Sequence, residues 1–479
     1  MNTPPSPFKT ARYSAEASLR PGLALWLLFL TLFAPLRAAE FFTPPAGSCT
    51  LEEASGLIPN DAKALVLLDA RLHALISPAL HDYLGNAARR RQFRITVLPV
   101  GKLDDCPPAT LRNVMKALHS AHPGVEGILF AGNVKLPSFF MPRPDIHSTR
   151  LWPRFYEDLD MEPSLGIPAG TVLTDRPQWP RVAGAKSLTV KEHDYDSFTE
   201  GKSAGATWWV AHLPAGYQDD SMNTYEGWAK QLTPFFKKAA AFHAGATEYG
   251  RGLYLVSNDC SLMERGKPVW ETVGPGKIEF FALNEKGPGV FKNNPDGYQR
   301  VPLEKFAGLD AFLTHARSLP WMDEGWQSAT VFLEHMAQTR RRIVWWNVHS
   351  NPELSLVSWK EAGKMSGGGL IAMLNGCSVG GFRQPGSASF VDTKTTPEQN
   401  VLTNLVYGSS AFVAALGSTH DRVTDEHGTP LLQHLYSGGY LGMAHLLRLR
   451  QADKEVHGNP MQLREFQEIL IGDPFADAK

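Results

Sequence analysis

A short apolar run that ends near Gly, Asn, Ser or a reactive side chain recurs in this chain at Gly127, Thr207, Gly252, Ile343, Leu370 and Ser410. Runs of this length without polar alternation read as strands covered on both faces. Further strands are expected at 64–68, 94–100 and 277–283. Helical periodicity separates them at 73–89, 108–119, 222–243, 303–318, 327–340, 399–407 and 429–449, the last broken by Gly438-Gly439. Strands alternating with helices predict an α/β fold with a mostly parallel sheet and helices on both faces. In such sheets ligands bind at the carboxyl ends of the strands. The length of 479 residues predicts two sub-sheets, at 61–215 and 216–479, after an extended lead-in at 40–60. The stretch 135–206, rich in Pro, Gly and aromatic residues, is expected to be irregular.

Two of these runs carry the chemistry. Ile343-Val344-Trp345-Trp346-Asn347-Val348 stops at His349, and Leu370-Ile371-Ala372-Met373-Leu374-Asn375-Gly376 stops at Cys377. If the two strands are parallel neighbours, both groups leave the sheet together. A Cys and a His held there make a candidate nucleophile and proton donor. Gly376 and Gly380-Gly381 permit a close backbone approach beside the thiol. The four Trp residues 208, 209, 345 and 346 are expected in the core.

The remaining composition narrows the classes. A formal net charge of −1, with no long basic stripe, excludes a nucleic-acid footprint. The clusters Arg89-Arg90-Arg91 and Arg340-Arg341-Arg342 are read as solvated. Lys9, Arg12 and Arg20 precede an apolar run from Pro21 to Pro35 and then Ala38-Ala39. That pattern predicts a signal peptide at 1–39 and an exported chain, periplasmic or extracellular. The apolar run is shorter than the ~20 residues of a spanning helix, so no stable membrane span is expected after cleavage. Export permits disulfides. Cys49, Cys106 and Cys260 lie in polar contexts, and one bridge among them with Cys377 free is expected.

With these segments in view, the chain resembles the gingipain-type cysteine peptidases, which group with caspases, legumains and separases. In that family a hydrophobic strand ends in His-Gly and a later one ends in Ala-Cys; here the matching text is the run into His349-Ser350 and the run into Gly376-Cys377. Ile128-Leu129-Phe130-Ala131-Gly132-Asn133 is similar to the family's strand ending in Val-Gly-Asp. Phe155-Tyr156-Glu157-Asp158-Leu159-Asp160 resembles its tyrosine-and-acid segment, and Trp208-Trp209-Val210-Ala211-His212-Leu213-Pro214 its strand ending in Pro. The strand into Gly417-Ser418-Thr419 and the ending Ile471-Gly472-Asp473-Pro474 follow in the family order. The departures are Ser350 for Gly, Gly376 for Ala, Ala211-His212 for Gly-Arg, and no counterpart of the acid that selects arginine.

The resemblance implies a caspase-like three-layer fold and a cysteine endopeptidase acting on a protein or peptide. Cys377 would be the nucleophile and His349 the proton donor. The backbone N–H groups of Ser350 and Cys377 would bind the oxyanion, and Glu157 or Asp158 would orient His349. Gly376, Ser418, Thr419 and His420 are substrate-cleft candidates. No cofactor is expected; structural calcium enters only as a family property, and no metal site is assigned. The acids and histidines at His420, Asp421, Asp425, Glu426 and His427 are read as a surface loop. The alternatives are a catalytically weak or inactive scaffold that binds a protein or peptide, and a transpeptidase.

Overall fold

The structure is a computed structural model that describes residues 58–101, 103–142, 147–167, 172–174, 187–189, 194–202, 205–246, 250–257, 278–283, 298–302, 311, 336–337, 340–347, 350–355, 357–376, 378–384, 395–419, 428–455 and 467–478. The expected signal peptide and nearly all of the lead-in lie outside these residues, as does nearly all of the helix expected at 303–318. Among the described residues no helix is long and apolar enough to cross a membrane.

The fold is α/β. Among the described residues its main sheet has eleven strands. In chain order they are β1 (Ala62–Asp69), β2 (Arg94–Val100), β3 (Gly127–Ala131), β4 (Trp209–Leu213), β5 (Gly250–Ser257), β6 (Ile278–Leu283), β7 (Tyr298–Pro302), β8 (Arg340–Asn347), β9 (Gly368–Leu374), β10 (Ala414–Ser418) and β11 (Glu468–Gly472). Their order across the sheet is β7-β6-β5-β8-β9-β10-β11-β4-β3-β1-β2. Within this one sheet the runs β2-β1-β3-β4 and β6-β5-β8-β9-β10 are each parallel throughout. The C-terminal strand β11 joins them: it pairs antiparallel with β10 and meets β4 at Ala211↔Leu470 and His212↔Ile471.

Central strands are apolar along their whole length because both faces are covered. In β1, Ala64, Leu65, Val66, Leu67 and Leu68 are fully buried in succession. The helices that cover the sheet are α1 (Ala70–Arg91), α2 (Pro108–Ala121), α3 (Arg154–Glu157), α4 (Tyr225–His243), α5 (Trp359–Ala362), α6 (Val401–Tyr407), α7 (Gly428–Ser437) and α8 (Leu441–Glu455). Helix α1 starts directly at the end of β1, where Asp69 accepts the N–H of Arg71 as an N-cap. Thr224 caps α4 in the same way, and Pro sits in the first turn of α2. The helical stretch expected at 429–449 with a break at Gly438-Gly439 is two helices, α7 and α8, because Gly438 takes φ +99° and ends the first.

Trp209 shows why glycine is needed in two places. Its indole fills the volume that a Cβ on Gly127 in β3, or on Gly442 in α8, would occupy. The C-terminal segment closes the core between helices. Asp473 accepts the Tyr83 hydroxyl at 2.6 Å and lies 2.7 Å from His243 Nε2. Asp477 pairs with Arg90 at 2.8 Å and with Arg91, and lies 3.9 Å from Arg342.

The structure corrects the sequence reading in four places. The arginine clusters are not both solvated, since Arg91 and Arg342 keep 8% and 13% of their side-chain surface around Asp477. The described residues of 135–206 are not all irregular: they include a four-stranded sheet of Ser138–Pro142, His147–Leu151, Glu162–Ile167 and Asp194–Lys202, and a two-stranded one of Val172–Thr174 and Ser187–Thr189. The helix expected to run to Arg340 has given way there to β8. The antiparallel edge strand β7 was not expected, because Tyr-Gln-Arg-Val-Pro carries no apolar run and ends in Pro.

Candidate active site

Strands β8 and β9 are hydrogen-bonded parallel neighbours, and their ladder ends at Trp346↔Leu374. His349 and Cys377 each stand three residues beyond that pair in sequence. Both residues lie outside the described residues, as does His420. What the structure does describe is the frame on either side of them.

After His349 the chain forms a small meander of Ser350–Asn351, Leu354–Ser355 and Val357–Ser358. Ser350 donates its hydroxyl to Ser355 Oγ at 2.7 Å. The meander runs into α5 through a capping box, in which Glu361 and Ser358 satisfy each other's backbone. After Cys377 the chain turns at once. Gly376 is buried, and Ser378 takes φ +54°, a left-handed conformation that a residue with a Cβ adopts only when its surroundings hold it. Gly381 N donates to Ser378 O at 2.8 Å, and Gly380 N donates to Ser418 O at 2.7 Å, which staples the turn to the end of β10.

The start of α6 connects the two exits. Asn400 is fully buried. Its Oδ1 accepts Leu402 N and Thr403 N as the helix cap, while its Nδ2 donates to Val379 O at 2.8 Å and Gly381 O at 3.0 Å. The next residue, Val401, donates its N–H to Pro352 O at 2.9 Å. Gln384 then ties the segment after Cys377 to the exit of β3, accepting from Leu136 N at 2.7 Å and donating to Val134 O at 2.5 Å. Glu398 N donates to Gly216 O, beyond β4. The loops leaving β3, β4, β8, β9 and β10 are thus bonded to one framework.

Ser418 and Thr419 are fully buried. Thr419 donates its N–H to Gln467 O and its hydroxyl to Leu151 O, both at 2.9 Å. Both candidate acids are also fully buried. Asp158 accepts Met161 N on Oδ1 at 3.0 Å and Gly205 N on Oδ2 at 3.2 Å, closing the turn after α3. Glu157 faces a different histidine: its Oε1 is 2.9 Å from His445 Nε2. The Nδ1 of His445 lies 3.3 Å from Glu468 Oε2, and Arg448 pairs with Glu468 Oε1 at 3.0 Å while its guanidinium lies 5.5 Å from the centre of the Trp345 ring. Burial works against a charge on His445, but Glu157 and Glu468 outweigh it and raise its pKa to about 9. Nothing in the sequence pointed to His445, Arg448 or Glu468, because they carry no motif and meet only through α8 and β11.

His212, which stands where the resembled family carries Arg, is a core side chain. Burial, with a smaller contribution from the His445 charge, lowers its pKa to about 3, and its ring lies 5.6 Å from that of Phe130. Trp208, Trp209 and Trp345 are core, as expected. Cys106 is a free, half-buried thiol whose pKa burial raises; Cys49 and Cys260 lie outside the described residues. Among the described residues no group of three or more His, Cys, Asp or Glu is placed to hold a metal. The cluster from His420 to His427 lies outside them. A cleft of about 750 Å³ opens between the end of α2, the start of β3 and α8, lined in part by His119, Glu126, Arg450 and Asp453. Asp160, from the tyrosine-and-acid segment, and Thr207, at the start of the strand expected there, also line it; Glu157, Asp158, Ser350, Gly376, Ser418 and Thr419 do not.

No family model matches the chain, and no curated protein matches it. Two solved structures are similar. One is the crystal structure of the Arg-specific cysteine proteinase gingipain R, at 10% identity and a TM-score of 0.49, covering 88% of this chain and 78% of that one. The other is the structure of a protease, at 10% identity and a TM-score of 0.44, covering 88% of this chain and 79% of that one.

Proposed function

We propose that this chain is an exported cysteine endopeptidase with a caspase-like arrangement, in which Cys377 is the nucleophile and His349 the proton donor. The observation that carries the reading is the ladder of β8 and β9. Strands about 4.8 Å apart, aligned at Trp346↔Leu374, deliver a histidine and a cysteine at the same offset from one register pair. The bonded framework around both exits supports it, since acyl transfer requires groups fixed relative to one another.

In the proposed reaction the Cys377 thiolate attacks the scissile carbonyl carbon. The oxyanion forms against the N–H groups of Cys377 and Ser350. The C–N bond breaks, His349 gives its proton to the departing amine, and a thioester remains. His349 then takes a proton from water, which attacks the thioester and releases the acid and the thiolate. Because Glu157 is bonded to His445 and Asp158 to two backbone N–H groups, we assign these acids to the frame and the chemistry to the Cys–His pair.

The test is cleavage of a peptide library by the purified chain and by Cys377→Ala. Loss of all cleavage is the expected outcome, and cleavage that persists unchanged in the variant overturns the assignment. A second reading, a non-catalytic peptide-binding scaffold, draws on Ser350, whose Cβ stands where the family has none and whose hydroxyl is bonded to Ser355. Peptide binding without turnover in the wild type would favour it. Product masses containing an added amine would instead identify a transpeptidase.

A further inference from the structure

Resting on that reading, we propose that Asn400 is a positioning residue for the reaction, setting the backbone around Cys377 from the start of α6. Four bonds define it. The side-chain oxygen caps α6 at Leu402 N and Thr403 N, and the side-chain amide donates to Val379 O and Gly381 O in the turn that follows Cys377. All the hydrogen-bonding capacity that matters in this carboxamide is therefore engaged, half in the helix and half in the turn. The residue is fully buried, so water does not replace either half.

The turn needs such a clamp. Ser378 holds a left-handed backbone next to the candidate nucleophile. The local bonds from Gly381 N to Ser378 O and from Gly380 N to Ser418 O fix the ends of the turn. The carbonyls of Val379 and Gly381 point to the Asn400 amide, which fixes the middle and the exit. The clamp therefore fixes Ser378 to Gly381, the residues that directly follow Cys377 in the chain. Val401 N holds Pro352 O, in the loop that follows His349, so the same helix start sets the second exit. Beside them, Gly381 packs against Pro352, whose Cγ would lie 3.5 Å from a Cβ on that glycine. A shift of the α6 start would therefore move both exits relative to each other, and reaction rates are sensitive to misplacements of that size.

Asparagine alone supplies both functions here. Serine retains the capping oxygen and is an equally good N-cap, but it has no amide to hold the turn. Comparing Asn400→Ser with wild type thus removes the clamp while keeping the cap. Asn404→Ala serves as the control: Asn404 donates to Glu398 O and Asn400 O and makes no bond to the turn. Two readouts are needed. The first is kcat and KM on a peptide substrate. The second, independent of turnover, is the pH profile of Cys377 alkylation by iodoacetamide, followed by mass spectrometry of the peptide that contains it.

For Asn400→Ser we expect kcat to fall about 10- to 100-fold with KM changed less than about 3-fold, and a melting temperature within a few degrees of wild type. The Cys377 alkylation profile should shift in the same variant and stay unchanged in Asn404→Ala. An Asn400→Ser chain with wild-type kcat and an unchanged alkylation profile overturns the proposal. If Cys377→Ala still cleaves peptides, the catalytic assignment fails; the alkylation profile then decides separately whether Asn400 sets the environment of Cys377.

Discussion

Two regions of the molecule, the exits of β8 and β9 and the core beneath α8, are built on different principles. At the exits of β8 and β9 the described contacts are mostly neutral: backbone carbonyls, the Asn400 carboxamide, and the hydroxyls of Ser350, Ser355 and Thr419, with the Glu353 and Glu361 carboxylates accepting only the hydroxyls of Thr395 and Ser358 and backbone N–H groups. Beneath α8 the contacts are ionic: Glu157, His445, Glu468 and Arg448 are paired in a chain with almost no solvent exposure. The ionic chain is self-compensating, with two carboxylates facing an imidazolium and a guanidinium. Charges paired in this way stabilise one another and are poor candidates for proton transfer during turnover. The neutral frame leaves whatever charge it houses to the residues it surrounds. A perturbed buried histidine is therefore a sign of structure beneath α8 and would be a sign of chemistry only at the exits of β8 and β9.

The largest effect is expected at His445. Replacing it by Leu leaves the Glu157 side chain buried without a hydrogen-bond partner among the described residues, since Glu157 Oε2 already has none. Removing one partner of a buried pair costs about 3–5 kcal/mol, which denaturant unfolding would register. The pH dependence tests the same pairing. The folded pKa of about 9 lies above the ordinary value of 6.5, so the stabilisation by His445 is fully present below pH 6.5 and is lost as pH rises through about 9. That shift corresponds to about 3 kcal/mol. Lys238, whose pKa burial lowers to about 7, acts in the opposite direction over part of this range. The informative quantity is hence the difference between wild type and His445→Gln from pH 6 to pH 10, which should shrink as pH rises. A difference independent of pH would mean that His445 is neutral in the folded protein.

A smaller effect is expected in the neutral frame. Thr419→Val keeps the shape of the side chain and removes one hydroxyl bond to Leu151 O. We expect a loss of about 1 kcal/mol in the same unfolding experiment. A loss comparable to that of His445→Leu would erase the distinction between the two regions.

Much of the frame was legible in the sequence because it depends on local signals. The apolar runs of β3, β8 and β9 needed no knowledge of their neighbours, and neither did the glycine break between α7 and α8. Pairing partners separated by hundreds of residues were not legible. Glu157 reads as a free acid in Phe155-Tyr156-Glu157-Asp158, and only the packing of α8 assigns it to His445. The arginines at 90, 91 and 342 look like surface charge until Asp477 is folded back among them. Asn400 looks like an ordinary helix cap, because its bonds to Val379 and Gly381 come from the donor side of the same carboxamide. The strands within 135–206 lack the apolar runs that marked the main sheet.

Whether the exits of β8 and β9 hold a working cysteine–histidine pair is open to a single decisive measurement. It is covalent labelling of the intact chain with a peptidyl acyloxymethyl ketone, mapped by mass spectrometry in wild type and in His349→Ala. We predict a single modified residue, Cys377, in wild type and a labelling rate at least about 100-fold lower in His349→Ala. Labelling that spares Cys377, or that proceeds at the same rate without His349, would contradict the proposed pair.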